Sequence, residues 1–148
     1  MASFGHGLSY TTFSIGQPAI SQPKIDVDAA TIAVEIEVEV KNTGAMAGAE
    51  VVQCYVSPGT SKPALPRPAL ELASFAKVFL QPGESKKVKM TLDRGNFSYW
   101  DDSREHNAAP GSWVVEKGAY SLIVGNSLDN LSHEKEIPIN ASFTWVGL

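Results

Sequence analysis

At 148 residues, 43% hydrophobic and 19% charged, the chain has the length and composition of one folded domain rather than a disordered segment. A chain of that size buries roughly two-thirds of its unfolded surface, enough for a core without disulfide or metal support. The net charge is −4 with lysine and arginine scattered, so no basic face for nucleic acid or anionic lipid is present, and the apolar runs are too short for a membrane-spanning helix.

The first strand signals are weak ones, Tyr10 to Ile15 and Ile25 to Val27, which predict an edge. Thr31 to Lys41 is the clearest element. Ile32, Val34, Ile36, Val38 and Val40 alternate with Thr31, Ala33, Glu35, Glu37 and Glu39, which predicts a half-buried strand with its glutamates in water. Asn42-Thr43-Gly44 ends it with turn chemistry. Ala49 to Ser57 carries Val52, Cys54 and Val56 on one face and Val51, Gln53 and Tyr55 on the other, which predicts a strand covered on both sides. Cys54 is the only cysteine, so an intrachain disulfide is excluded, and between two valines it reads as a buried small hydrophobe.

Pro58, Pro63, Pro66 and Pro68 mark an extended loop. Leu70 to Leu80 is strand-like, with Phe75, Val78, Phe79 and Leu80. Gln81-Pro82-Gly83-Glu84 has proline and glycine where a type II turn needs them. Ser85 to Leu92 then alternates Val88, Met90 and Leu92 inward with Lys87 and Lys89 outward. Asp93 to Ser112 is expected to be a long irregular connection. Trp113 to Val115, Ala119 to Val124 and Ile137 to Phe143 supply the last predicted strands.

Seven to eight short antiparallel strands in two sheets, with no amphipathic helix, predict an all-β sandwich of the immunoglobulin or fibronectin type III-like kind. Gly118-Ala119-Tyr120 at the head of a strand has the spacing of a tyrosine corner, in which the phenol bonds upstream backbone. In such a topology Thr31–Lys41 and Ser85–Leu92 lie side by side. Glu35, Glu37 and Glu39 then face Lys87 and Lys89 across the solvent surface.

The densest acidic cluster, Asp101, Asp102 and Glu105 beside His106, reads as a solvated loop rather than an acid/base pair, and Arg104 offsets part of its charge. His6, His106 and His133 lack metal-ligand spacing, and no phosphate loop, dinucleotide fingerprint or nucleophile elbow is present, so neither metal nor cofactor is expected. Trp100, Trp113 and Trp145 are candidates for stacking on sugar rings, against a structural reading in which Trp100 and Trp113, flanking the long connection, close one end of the sandwich or meet a neighbouring domain. Asn96, Asn130 and Asn140 stand in N-glycosylation sequons, three of the six asparagines. Asn96 and Asn130 are expected in loops and are the better candidates for modification. Met1-Ala2-Ser3-Phe4 lacks the basic and apolar stretches of a signal peptide, so either the chain is cytosolic or its address lay upstream.

Phe4-Gly5-His6-Gly7-Leu8-Ser9-Tyr10-Thr11-Thr12-Phe13 resembles the segment that leads into the C-terminal domain of glycoside hydrolase family 3 enzymes, chiefly fungal and bacterial β-glucosidases. Val40-Lys41-Asn42-Thr43-Gly44, Leu80-Gln81-Pro82-Gly83-Glu84-Ser85, Ser98-Tyr99-Trp100-Asp101 and Trp113-Val114-Val115-Glu116-Lys117-Gly118 continue the likeness in order. Asn96 departs from it, standing where an aspartate is common. The resemblance implies a fibronectin type III-like domain over residues 11–148 and a linker over 1–10. It further implies a secreted parent that hydrolyses β-glucosides with retention through two carboxylates about 5 Å apart. No position here matches the family's nucleophile or acid/base motif, so no catalytic residue carries over. The implied role is an accessory domain that packs on upstream catalytic domains, with Phe4, Leu8, Tyr10 and Phe13 as candidate contacts. The alternative is a module for polysaccharide or lignin surfaces.

Overall fold

The run from Thr31 to Asn42 forms one unbroken strand whose residues alternate between core and solvent along its length. The computed structural model describes residues 11–21, 24–58, 70–101, 111–127 and 130–146. In chain order these form β1 (Phe13–Ile15), β2 (Ala19–Ile20), β3 (Lys24–Asp26), β4 (Thr31–Asn42), β5 (Gly48–Ser57), β6 (Glu71–Leu80) and β7 (Ser85–Asp93). A 3₁₀ turn (Arg94–Phe97) follows, then β8 (Tyr99–Asp101), β9 (Ser112–Val115), β10 (Gly118–Ser127), β11 (Asn130–Ile139) and β12 (Phe143–Trp145).

Two sheets face each other. In the first, β4 is central. β7 takes one edge of β4, and β1, β2 and β3 take the other as three pieces of one interrupted row. The second sheet runs β11-β10-β5-β6, all antiparallel. Counted as rows this is a seven-row β-sandwich of the immunoglobulin and fibronectin type III-like kind, as the alternation predicts. Ile32, Val34, Ile36, Val38 and Val40 of β4 meet Val52, Cys54 and Val56 of β5 and Leu122 and Val124 of β10 in one apolar core. The expected ion pairs are present: Lys87 lies 3.5 Å from Glu37 and Lys89 lies 3.8 Å from Glu35 on the solvent side of β4 and β7. Each lysine reaches diagonally, because Glu37 is directly opposite Lys89 and Glu39 opposite Lys87.

Three expectations need correction. Asp93 to Ser112 is not irregular throughout: Asp93 caps the 3₁₀ turn, accepting from Gly95 N at 2.8 Å, and β8 follows. The strand predicted over Ile137 to Phe143 is two, β11 ending at Ile139 and β12 starting at Phe143. β11 also begins at Asn130, in a polar stretch with no apolar alternation, because its backbone pairs with β10 along nearly its whole length. An edge strand needs ladder partners more than a buried face.

β8, β9 and β12 make a third, three-stranded sheet that the strand signals did not anticipate. Phe97, fully buried, projects from the 3₁₀ turn into the core and meets Tyr120 edge-on at 5.4 Å between ring centroids. Tyr120 in turn donates its hydroxyl to Glu116 O at 2.7 Å, which is the tyrosine corner.

Candidate functional site

The third sheet lines up the three tryptophans. Trp113 of β9 pairs with Trp100 of β8 on one side and Trp145 of β12 on the other, so the ladder brings together side chains remote in sequence. Trp113 and Trp145 stack with centroids 5.5 Å apart and planes 18° from parallel, while Trp100 meets Trp113 at 5.2 Å and 72°. The Arg94 guanidinium lies 3.9 Å from the Trp145 ring centroid and donates through Nη1 to Ala30 O at 3.0 Å. Trp145 is therefore flanked by Trp113 and by a cation. Such ring and cation contacts are each worth about 1 kcal/mol. Trp100 is 47% exposed and has the backbone of Gly111 close against its ring, where an added Cβ would overlap it.

A groove of about 380 Å³ runs beside this stack, lined by Thr31, Ile32, Asp93, Arg94, Gly95, Trp113 and Trp145. The buried Trp145 Nε1 has no hydrogen-bond partner among the described residues. The Trp100 plane stands 72° from that of Trp113, so the three rings do not form one flat row.

The carboxylates with described partners hold structure. Glu116 accepts the Tyr99 hydroxyl, Glu50 accepts from Val51 N at 2.9 Å and from Asn126 Nδ2 at 3.2 Å, and Asp93 caps the 3₁₀ turn. Among the described residues no group of three or more His, Cys, Asp or Glu is placed to hold a metal ion. Asp102, Glu105 and His106 lie outside the described residues, as do Phe4, Leu8 and Tyr10. Phe13 is half-buried in β1 and packs against the core cluster.

The sequons differ in setting. Asn96 is not in an open loop: its Oδ1 accepts from Asp93 N at 2.9 Å and its Nδ2 donates to Ala73 O at 3.1 Å. Asn130 starts β11 rather than sitting in a loop. Asn140 is exposed between β11 and β12.

One structural centre escapes the sequence pattern. Asn42 is fully buried, and its Oδ1 accepts from Thr11 Oγ1 at 2.8 Å and Gly44 N at 3.0 Å. Its Nδ2 donates to Met46 O at 2.8 Å and Leu80 O at 3.1 Å. Thr43 N also bonds Thr12 O at 2.8 Å, so the first described residues are clamped to the β4–β5 loop. A methyl at Gly44 would overlap the Thr11 hydroxyl, so glycine there permits the close approach.

Residues 50–128 match the family model of the fibronectin type III-like domain. The chain is 40% identical over 145 residues to the probable β-glucosidase K of Emericella nidulans, covering 98% of this chain and 15% of that protein. It is 41% identical over 148 residues to the probable β-glucosidase I of Aspergillus niger, covering 98% and 17%. The crystal structure of Kluyveromyces marxianus β-glucosidase in complex with glucose superposes with a TM-score of 0.78 at 41% identity, over 98% of this chain and 16% of that one. The GH3 β-glucosidase of Bifidobacterium adolescentis gives 0.78 at 35% identity, over 93% and 18%. Sandwich, tyrosine corner and family match agree, and the chain belongs to the fibronectin type III-like domain family, in the form found as one part of much longer β-glucosidase chains.

Proposed function

We propose that this chain is the non-catalytic accessory domain of a secreted, retaining family 3 β-glucosidase, packing on the enzyme's catalytic domains and stabilising them. The observation that carries this reading is the match of nearly the whole chain to a segment making up only 15–17% of β-glucosidase chains. Residues 1–10 then serve as the linker from the catalytic part and 11–148 as the domain. The Asn42 clamp on Thr11 supports this division, since it gives the incoming chain one direction. A glycan added on secretion goes to Asn140, whose side chain is exposed, rather than to Asn96, whose amide nitrogen donates to Ala73 O.

The test is the full-length parent enzyme with and without residues 11–148. A lower folding yield and an earlier thermal inactivation on removal support the reading, and unchanged values sink it. A second reading, a module for polysaccharide or lignin surfaces, is favoured only by the exposure of Trp100. Retention of the chain on insoluble glucan or lignin, lost in Trp100→Ala, would support that alternative.

A further inference from the structure

The two outer faces of the sandwich differ. Outside the first sheet, β4 and β7 present Glu35, Glu37, Glu39, Lys87 and Lys89, a charged and partly paired surface suited to water. Outside the second sheet the chemistry reverses at β6. Its register pairs Leu72 with Tyr55, Phe75 with Gln53 and Phe79 with Ala49, and paired residues share a face. Val52, Cys54 and Val56 of β5 point to the core, so Leu72, Phe75 and Phe79 point away from it. They are 40%, 65% and 55% exposed.

Among the described residues β6 is also an edge strand, bonded within its sheet to β5 alone. Soluble proteins protect long edges with charge, proline or a covering element. The opposite edge, β11, follows that rule, with Glu134, Glu136 and Pro138 all exposed. On β6 Asn96 Nδ2 and Lys86 Nζ bond the carbonyls of Ala73 and Phe79, yet the only charged side chain between Leu72 and Phe79 is Lys77. A ten-residue edge strand with three exposed apolar side chains is the kind of patch that marks an interaction site.

We infer that the outer face of β6, centred on Leu72, Phe75 and Phe79, is the surface through which this domain seats on the catalytic part of its parent chain; this rests on the accessory-domain reading. More than four-fifths of each matched β-glucosidase lies outside the segment that this chain covers, so a large body of polypeptide in the same chain is available to cover the patch. A second copy fits less well. Two-fold pairing centred on the patch would bring one Lys77 ammonium against its counterpart in a site emptied of water. Against a different surface, Lys77 needs only one acceptor at the rim. The mixture of two aromatic rings, a leucine and one lysine is that of an interdomain contact.

The test is Phe75→Thr with Phe79→Thr, which keeps β-propensity while removing apolar area. In the full-length parent the pair should lower the first thermal transition by about 4 °C or more. In the 148-residue chain it should shift melting by only about 1 °C, since these side chains are mostly in water. Amide exchange over 71–80 should be slower in the parent than in this chain alone. A double variant that melts like the wild-type parent, while removal of residues 11–148 still destabilises it, overturns the assignment of the face and leaves the accessory reading standing. If removal itself changes nothing, both fall. Loss of a homodimer, or of glucan retention, with no change in the parent assigns the face to a second copy or a polysaccharide and overturns the inference.

Discussion

Asn42 does the work of several residues with one buried amide. All four of its hydrogen-bonding positions are used, joining the first described residues, the β4–β5 loop and the end of β6. Asn42→Ala leaves two carbonyls, an amide and a hydroxyl without that partner and should cost about 2–4 kcal/mol, read as a lower urea midpoint with unchanged slope. Cys54 is a different case, since its environment is apolar. Burial pushes its thiol from 9.0 up to about 12. Below pH 9 both folded and unfolded states keep the proton, so stability is untouched; from pH 9 to 12 only the unfolded chain loses it, and stability falls with rising pH. The fall is about 1.4 kcal/mol per pH unit within that window. Burial raises Tyr55 as well, adding to the loss at the alkaline end. Urea unfolding between pH 8 and 11 checks this, and Cys54→Ala should flatten the slope while leaving the Tyr55 share.

At the scale of elements, the turn between β6 and β7 carries the chain from one sheet to the other. Gly83 has φ 77°, and Glu84 N bonds Gln81 O at 3.0 Å, the type II geometry that Pro82-Gly83 predicts. No atom lies within 4 Å of where a Cβ would sit on Gly83, so Gly83→Ala tests backbone conformation alone. It should cost about 1 kcal/mol in thermal or urea unfolding. The elements legible from sequence are those with one wet and one dry face, β4 and β7 above all, because burial writes a period of two into them. β11 was legible only at Ile137 and Ile139, where it touches the core. Its polar half is held by backbone bonds, which leave no mark on side-chain choice. The three-stranded sheet was hidden for a related reason: strands of three or four residues are too short to show a period.

For the whole molecule, Phe97 ties the connection after β7 to both sheets. It is fully buried against Tyr120, whose hydroxyl anchors the corner at Glu116. Phe97→Ala should cost about 3–5 kcal/mol and lower the melting temperature of the isolated chain, because the surrounding rings cannot collapse fully onto the space. The contrast with Phe75 and Phe79 is the useful one. All three are phenylalanines near strand segments, yet one holds the domain together and the other two face out of it. The alternation of β6 carried that information, since Phe75, Lys77 and Phe79 share one phase while Val78 and Leu80 share the other.

By itself the amino-acid sequence determined the sandwich, the charged outer surface of β4 and β7, the Pro82-Gly83 turn and the tyrosine corner. Each depends on spacing along one strand or turn, which local order expresses. Only the tertiary structure decided that Trp100, Trp113 and Trp145 form one stack beside Arg94, that Asn42 is a buried clamp rather than a plain turn residue, and that Asn96 is committed to a cap. These depend on which strands become neighbours, a property of the ladder between distant segments that no single stretch of chain contains.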